Sequence, residues 1–229
     1  MREPWPFQGY GTALAPATAG TIQIFQSVTG IDVAAKTKSE VTKDSIMAAA
    51  IAVIAKEGVQ GATTRKIAAQ AGINLGSLHY HFEGKDAMLL SVLSYLIESS
   101  RAALTSYFTE TEPLADRIEH LMVFIRGAVE RHPEQQIALF NLTLYALSTS
   151  GSEWLAKKKY EEYLGLYRDA LNDASDVRDG TLKPDIEALA NFIFTGFVGI
   201  LMQWLATANG FRARQAVQTL VMAARKTFL

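Results

Sequence analysis

The sequence contains no cysteine. Disulfide bonds, thiolate metal sites and cysteine nucleophiles are therefore excluded, and the absence fits a reducing cytosol. Residues 1–20 hold three prolines and no continuous apolar segment, so no secretory signal is expected. On these grounds we expect a cytoplasmic protein.

Patterns typical of catalysis are missing as well. No glycine-rich phosphate loop and no HExxH sequence occurs. Glu161 and Glu162 are adjacent, so they do not share one face of a helix. His79 and His81 are two residues apart and would point in different directions from a helix, which excludes a shared metal ion. We therefore expect no enzyme, no metal site and no cofactor.

Positive and negative charges nearly balance, because the formal net charge is −1. Segment 41–90 has only a slight basic surplus, so charge is a weak indication of nucleic-acid binding. The uncharged segment Ala188–Phe211 is long enough to cross a bilayer. Its scattered polar residues favour a buried core or interface helix instead, and no membrane partner is expected.

Helical periodicity is what the sequence does contain. Residues 1–40 are rich in Gly, Ala, Thr and Pro and are expected to form a flexible extension. The first helix is expected to follow a cap at Thr42 or Asp44 and to end at Gly58. Further helices are predicted over Thr64–Ala71, Leu75–His81, Lys85–Phe108, 115–131, 134–149, 153–173, 185–208 and 211–227. No segment alternates like a strand, so the fold class is all-α with about nine helices.

The second and third helices carry the most informative spacing. Ala68 supplies a small side chain where the two helices cross, and Gly72 tolerates the positive φ that a tight turn needs. Thr63 is expected to cap the second helix. The core between these helices is expected to comprise Ile67, Ala71, Ile73 and Leu78. A small residue, a glycine four positions later and an aliphatic residue six positions after that are typical of a helix-turn-helix.

On these residues the sequence resembles the TetR family of repressors. The resemblance rests on segments 64–68, 71–73 and 76–82, followed by Lys85, Asp86 and Leu89. It implies a three-helix DNA-binding domain over 41–86 and a helical ligand-binding and dimerisation domain over 87–229, with the fourth helix as the link. His79 stands where the family usually has tyrosine, and Tyr80 lies next to it.

The third helix is short enough to lie in a major groove, which is about 12 Å wide. Asn74 and Ser77 can bond base edges, and Gly76 lets the backbone approach DNA closely. Free N–H groups at the start of the second helix suit a phosphate, and Arg65 is favoured over Lys66 as a contact. The residues expected to contact DNA are Thr63, Thr64, Arg65, Asn74, Gly76, Ser77, His79, Tyr80, His81 and Lys85. His81 has an equal alternative as a structural hydrogen-bonding group.

The C-terminal half contains two further sets of candidate residues, one for dimerisation and one for ligand binding. Small or uncharged polar residues recur at every fourth position of helix 185–208, namely Asn191, Thr195, Gly199, Gln203 and Thr207. The resemblance implies that this helix and helix 211–227 pair with their copies in a homodimer. Candidate ligand-binding residues, which could equally be plain core, are Phe124, Phe140, Asn141, Leu144, Tyr145, Tyr163, Tyr167 and Phe194. Their character favours an apolar or aromatic effector with one or two hydrogen-bonding groups.

The expected function is a ligand-responsive transcriptional regulator, a repressor that a small molecule releases from its operator DNA. Two recognition helices must lie roughly 34–36 Å apart to enter successive major grooves. An effector that prefers a different spacing lowers the DNA affinity. The alternative is a helical ligand sensor or dimerisation module without specific DNA binding.

Overall fold

A computed structural model describes residues 38–229 and is helical, with no strand among these residues. This confirms the predicted all-α fold class. The ten helices are α1 Lys38–Gly61, α2 Thr64–Ala71, α3 Leu75–His81, α4 Lys85–Tyr107, α5 Leu114–Arg131, α6 Pro133–Ser148, α7 Glu153–Asn172, α8 Ser175–Arg178, α9 Ile186–Thr207 and α10 Gly210–Phe228.

The start of α1 differs from the prediction. It begins at Lys38, so Thr42 and Asp44 lie inside the helix and do not cap it. Residues 38–43 contain no glycine or proline, and nothing in them stops a helix from extending toward the N-terminus. At the other end the predicted break at Gly58 is confirmed, because its φ of 71° departs from the helical value.

A one-turn helix, α8, lies between the predicted helices 153–173 and 185–208, where no helix was predicted. Tertiary contacts stabilise it: the amide of Ser175 donates to the carbonyl of Glu112 at 2.9 Å. The Asp176 carboxylate accepts from the amide of Leu114, also at 2.9 Å. The local sequence does not indicate these hydrogen-bond partners, because they lie about sixty residues away in the chain.

The described residues fall into two compact units. The first comprises 38–106 and 129–161, and the second comprises 107–128 and 162–229. The predicted functional boundary at residue 86 is a different division and stays a prediction. The predicted extension 1–40 lies outside the described residues, except that 38–40 belong to α1.

Within the first unit, α1 packs against α2 and α6, and α2 packs against α3. The core contains fully buried side chains from several helices, among them Ile46, Ile54, Ile67, Leu78 and Met88. Asn141 of α6 donates its side-chain amide to the carbonyl of Ile54 in α1 at 2.9 Å. This polar contact fixes the register of α6 along α1.

Within the second unit, α9 packs against α10. A Cβ added at Gly196 would lie 2.6 Å from Leu220 of α10, so the two helices approach closely at this point. Both α4 and α9 are long and apolar enough to cross a bilayer by length and composition alone. Core helices of soluble proteins pass the same test, and α9 buries Leu189, Ile193 and Phe197.

Candidate nucleic-acid interface

The turn between α2 and α3 has the predicted geometry. Gly72 adopts the left-handed conformation, with φ 68° and ψ 29°. The amide of Ile73 donates to the carbonyl of Ala68 at 3.0 Å, which closes the end of α2. An added Cβ at Gly72 would meet nothing within 4 Å, so the backbone angle and not the available space requires glycine here.

The core beneath this turn is smaller than predicted. Ile67 and Leu78 are fully buried and Ala68 is buried, as expected. Ala71 and Ile73 are only half-buried, so the prediction that they belong to the core was wrong for these two. Both flank the turn, and each keeps part of its surface exposed to solvent.

Two side chains cap the short helices. Thr63 caps α2, as predicted, because its hydroxyl oxygen accepts from the amide of Lys66 at 3.3 Å. The side-chain oxygen of Asn74 caps α3 by accepting from the amide of Ser77 at 2.8 Å. Asn74 therefore positions the start of α3 in addition to lying where a base edge could be reached.

The outward face of α3 is exposed. Gly76, His79 and Tyr80 are exposed, and 85% of the Tyr80 surface is accessible. Leu78 on the opposite face is fully buried, so α3 is held firmly with one side free. His81 is half-buried, and its ring lies edge-on to Tyr80 at 5.3 Å between centroids.

The basic side chains near this face differ in their exposure and in their ion pairs. Lys66 pairs with Glu57, whereas Arg65 is exposed and forms no ion pair among the residues that the structure describes. Lys85 is half-buried at the start of α4, with its ammonium 5.6 Å from the centre of the Tyr145 ring. Thr64 is half-buried in the first turn of α2. Of these three cations, Arg65 is the one that is exposed and has neither an ion pair nor a ring contact among the described residues.

Known proteins share this arrangement. The family model for bacterial regulatory proteins of the tetR family matches residues 46–92. The transcriptional repressor KstR2 of Mycolicibacterium smegmatis is 27% identical over 178 residues, which cover 77% of this chain and 85% of that protein. A probable acrEF/envCD operon repressor of Escherichia coli K12 is 27% identical over 197 residues, covering 82% of this chain and 88% of the relative.

Residues 46–92 thus match the tetR family model, and the chain is similar to TetR-family repressors over most of its length. The solved structure of a TetR transcription regulator from Haloarcula marismortui has the same fold, with a TM-score of 0.67 and 19% identity. The match covers 83% of this chain and 100% of that one. The family match spans α2, the Gly72 turn and α3, where the interface lies. TetR-family regulators bind operator DNA and form dimers that respond to small molecules.

The eight predicted effector residues fall into both compact units. Phe140, Asn141, Leu144 and Tyr145 lie on α6 in the first unit, and the second unit contains Phe124, Tyr163, Tyr167 and Phe194. The amide of Asn141 is engaged with α1, and Leu144 is 64% exposed. Tyr167 and Phe194 are buried and pack together, with ring centroids 5.2 Å apart. Burial raises the pKa of the Tyr167 phenol far above its usual value.

Sequence reasoning missed Lys159, the third of three consecutive lysines on α7. It is only 6% exposed, and burial lowers its pKa to about 8. A signal was present in the sequence: Lys159 follows the buried Leu155 by four positions and precedes the buried Leu166 by seven. Its position therefore falls on the apolar stripe of the helix, where a lysine is out of place.

Proposed function

We infer that this protein is a TetR-family transcriptional repressor that binds operator DNA and is released from it by a small molecule. One observation carries the inference: the left-handed turn at Gly72 holds α3 with Leu78 buried and Tyr80 85% exposed. A short, rigid helix with one free face is the element that enters a major groove. His81, which is half-buried, and Phe82, which is buried, hold the C-terminal end of α3.

The exposed face suggests how contacts divide. In this proposal Asn74, Gly76 and Ser77 would meet base edges, while His79 and Tyr80, both exposed, would meet the DNA backbone. Thr63 caps α2 and Thr64 and Arg65 begin it, and the N–H groups at a helix start attract a phosphate. His81 and Lys85, both half-buried, would add contacts at the edge of the groove.

Dimerisation would place two such helices on one operator. On α9 the whole polar stripe predicted from the sequence is exposed, together with Phe192 at 38% and Met202 at 50%. On α10, Phe211 and Met222 are 61% and 63% exposed. A second copy of the same two helices would cover these apolar side chains in a four-helix interface. The close approach at Gly196 keeps α9 and α10 together as one rigid surface.

The effector signal has a second route besides α4. Helix α6 contacts α1 through the bond from Asn141 to Ile54, and Tyr145 of the same helix lies over Lys85. Tyr95 of α4 lies near Asp44 of α1, and burial with that carboxylate raises the pKa of Tyr95 to about 12. An effector that displaces α6 or α4 would thus reorient α1, on which α2 packs, and α3 would move with α2.

The remaining parts of the proposal follow the family. The protein acts in the cytoplasm as a regulator and not as an enzyme. Its effector has an apolar or aromatic body, in keeping with the aromatic residues of α6, α7 and α9.

Fluorescence anisotropy with the DNA upstream of its own gene, compared with a scrambled duplex, tests the proposal. Affinity for the upstream DNA should exceed affinity for the scrambled duplex by about a thousandfold or more. It should also fall steeply between about 50 and 200 mM salt. Equally weak binding to both duplexes would contradict the repressor function and favour a sensor without specific DNA binding.

A further inference from the structure

The lysines of α7 have different environments although they are consecutive. The Lys157 side chain is 76% exposed and lies 3.6 Å from the carboxylate of Glu161, one turn along the helix. Lys159 is 6% exposed, so most of its side chain is removed from water. Lys158 is half-buried and has interactions of its own. Of these three lysines, only Lys159 is buried.

Aromatic rings, and not carboxylates, surround the Lys159 amine. It lies 4.3 Å from the centre of the Tyr160 ring and 5.7 Å from that of Phe140 on α6. Among the described residues Lys159 forms no ion pair and no hydrogen bond. Attraction to ring faces offsets only part of the cost of taking an ammonium out of water.

A buried charge without a counter-ion is a costly feature that packing alone does not require, since a methionine would fill the same space. Perturbed ionisable groups of this kind concentrate at functional sites. We propose that Lys159, with the rings of Phe140 and Tyr160, binds the carboxylate of an otherwise apolar effector. The proposal rests on the inferred ligand-responsive function and adds one negative charge to the effector expected from the aromatic residues.

The charge and shape of the site favour a carboxylate over a phosphate group. Phosphates are usually held by several donors at once, such as an arginine fork or a row of backbone N–H groups. Lys159 offers a single compact cation, and the adjacent Lys157 is engaged with Glu161. One ammonium flanked by two rings matches one negative charge attached to an apolar chain or ring.

Isothermal titration calorimetry on the full chain tests the site. The probes are octanoate, dodecanoate and phenylacetate, each paired with its neutral primary amide. We expect at least one carboxylate to bind more tightly than its amide. Lys159→Met should weaken binding of that carboxylate by about 30-fold or more, while binding of the amide stays within about threefold. Lys157→Met, on the same helix, should change neither value.

Three results would overturn the proposal: no carboxylate binds at millimolar concentration, acid and amide bind equally well, or Lys159→Met leaves their ratio unchanged. Lys159→Gln serves as a second neutral variant if the methionine variant does not fold. Operator binding measured on the same preparations separates this proposal from the repressor function. Specific DNA binding without carboxylate binding refutes the site alone, and carboxylate binding that depends on Lys159 without specific DNA binding refutes the repressor alone.

Discussion

Replacing Lys159 by methionine is expected to stabilise the protein. Burial lowers the pKa of Lys159 from 10.5 to about 8, which means that the folded state disfavours the charged amine. A difference of this size corresponds to about 3 kcal/mol when both states are protonated. Methionine has a similar length and no charge. The free energy of unfolding of Lys159→Met should therefore exceed that of the wild type by up to about 3 kcal/mol near neutral pH.

The stability gained by Lys159→Met depends on pH. The unfolded chain binds this proton more tightly than the folded protein does, so the penalty is complete below about pH 8 and fades as the pH rises toward 10.5. The advantage of the variant should shrink from about 3 kcal/mol near neutral pH to about 1 kcal/mol near pH 10.

Urea denaturation followed by circular dichroism at the two pH values, with protein concentration held fixed, measures both quantities. Lys157→Met is the matched control, because its side chain is 76% exposed and its effect should stay within about 0.5 kcal/mol. The reasoning fails if Lys159→Met is less stable than the wild type at neutral pH, or if its advantage does not change with pH.

Three further predictions concern the interface and its support. Gly72→Ala should lower the free energy of unfolding by about 1 kcal/mol in urea denaturation, because a side chain strains the left-handed backbone. Gly76→Ala, inside α3, should instead stabilise the protein by up to about 1 kcal/mol and yet weaken operator binding. Equal changes in the free energy of unfolding for Gly72→Ala and Gly76→Ala would refute the different roles given to these two glycines. Arg65→Ala should reduce the salt slope of operator binding by about 1 in anisotropy titrations, whereas Lys66→Ala, which removes a lysine paired with Glu57, should leave the slope unchanged. Asn141→Ala should cost about 1 kcal/mol of unfolding free energy through the lost bond to Ile54, and no measurable change would exclude a stabilising role for that contact.

Much of the interface could be predicted from the sequence because its determinants are local. The left-handed conformation at Gly72, the cap at Thr63 and the burial of Ile67, Ala68 and Leu78 follow from residue type and helical spacing. The ends of the longer helices from α4 onward likewise match the prediction to within about one residue. Local backbone preferences and the period of apolar residues act over a few positions, and the chain displays them directly.

The predicted effector set shows where such reasoning stops. Helical spacing marked Asn141 and Leu144 as candidates, yet the first bonds to α1 and the second is largely exposed. Spacing along one helix indicates a face but does not show which neighbour covers it.

The sequence by itself determined the all-α class, the helix-turn-helix and the residues that face outward from it, because these depend on neighbours within one or two turns. Only the tertiary structure decided that Lys159 is buried beside two aromatic rings, with no ion pair among the described residues, and that a short helix forms at Ser175–Arg178. Both outcomes depend on the packing of segments distant in the sequence, and a side chain's free energy in the fold is set by the groups it meets there.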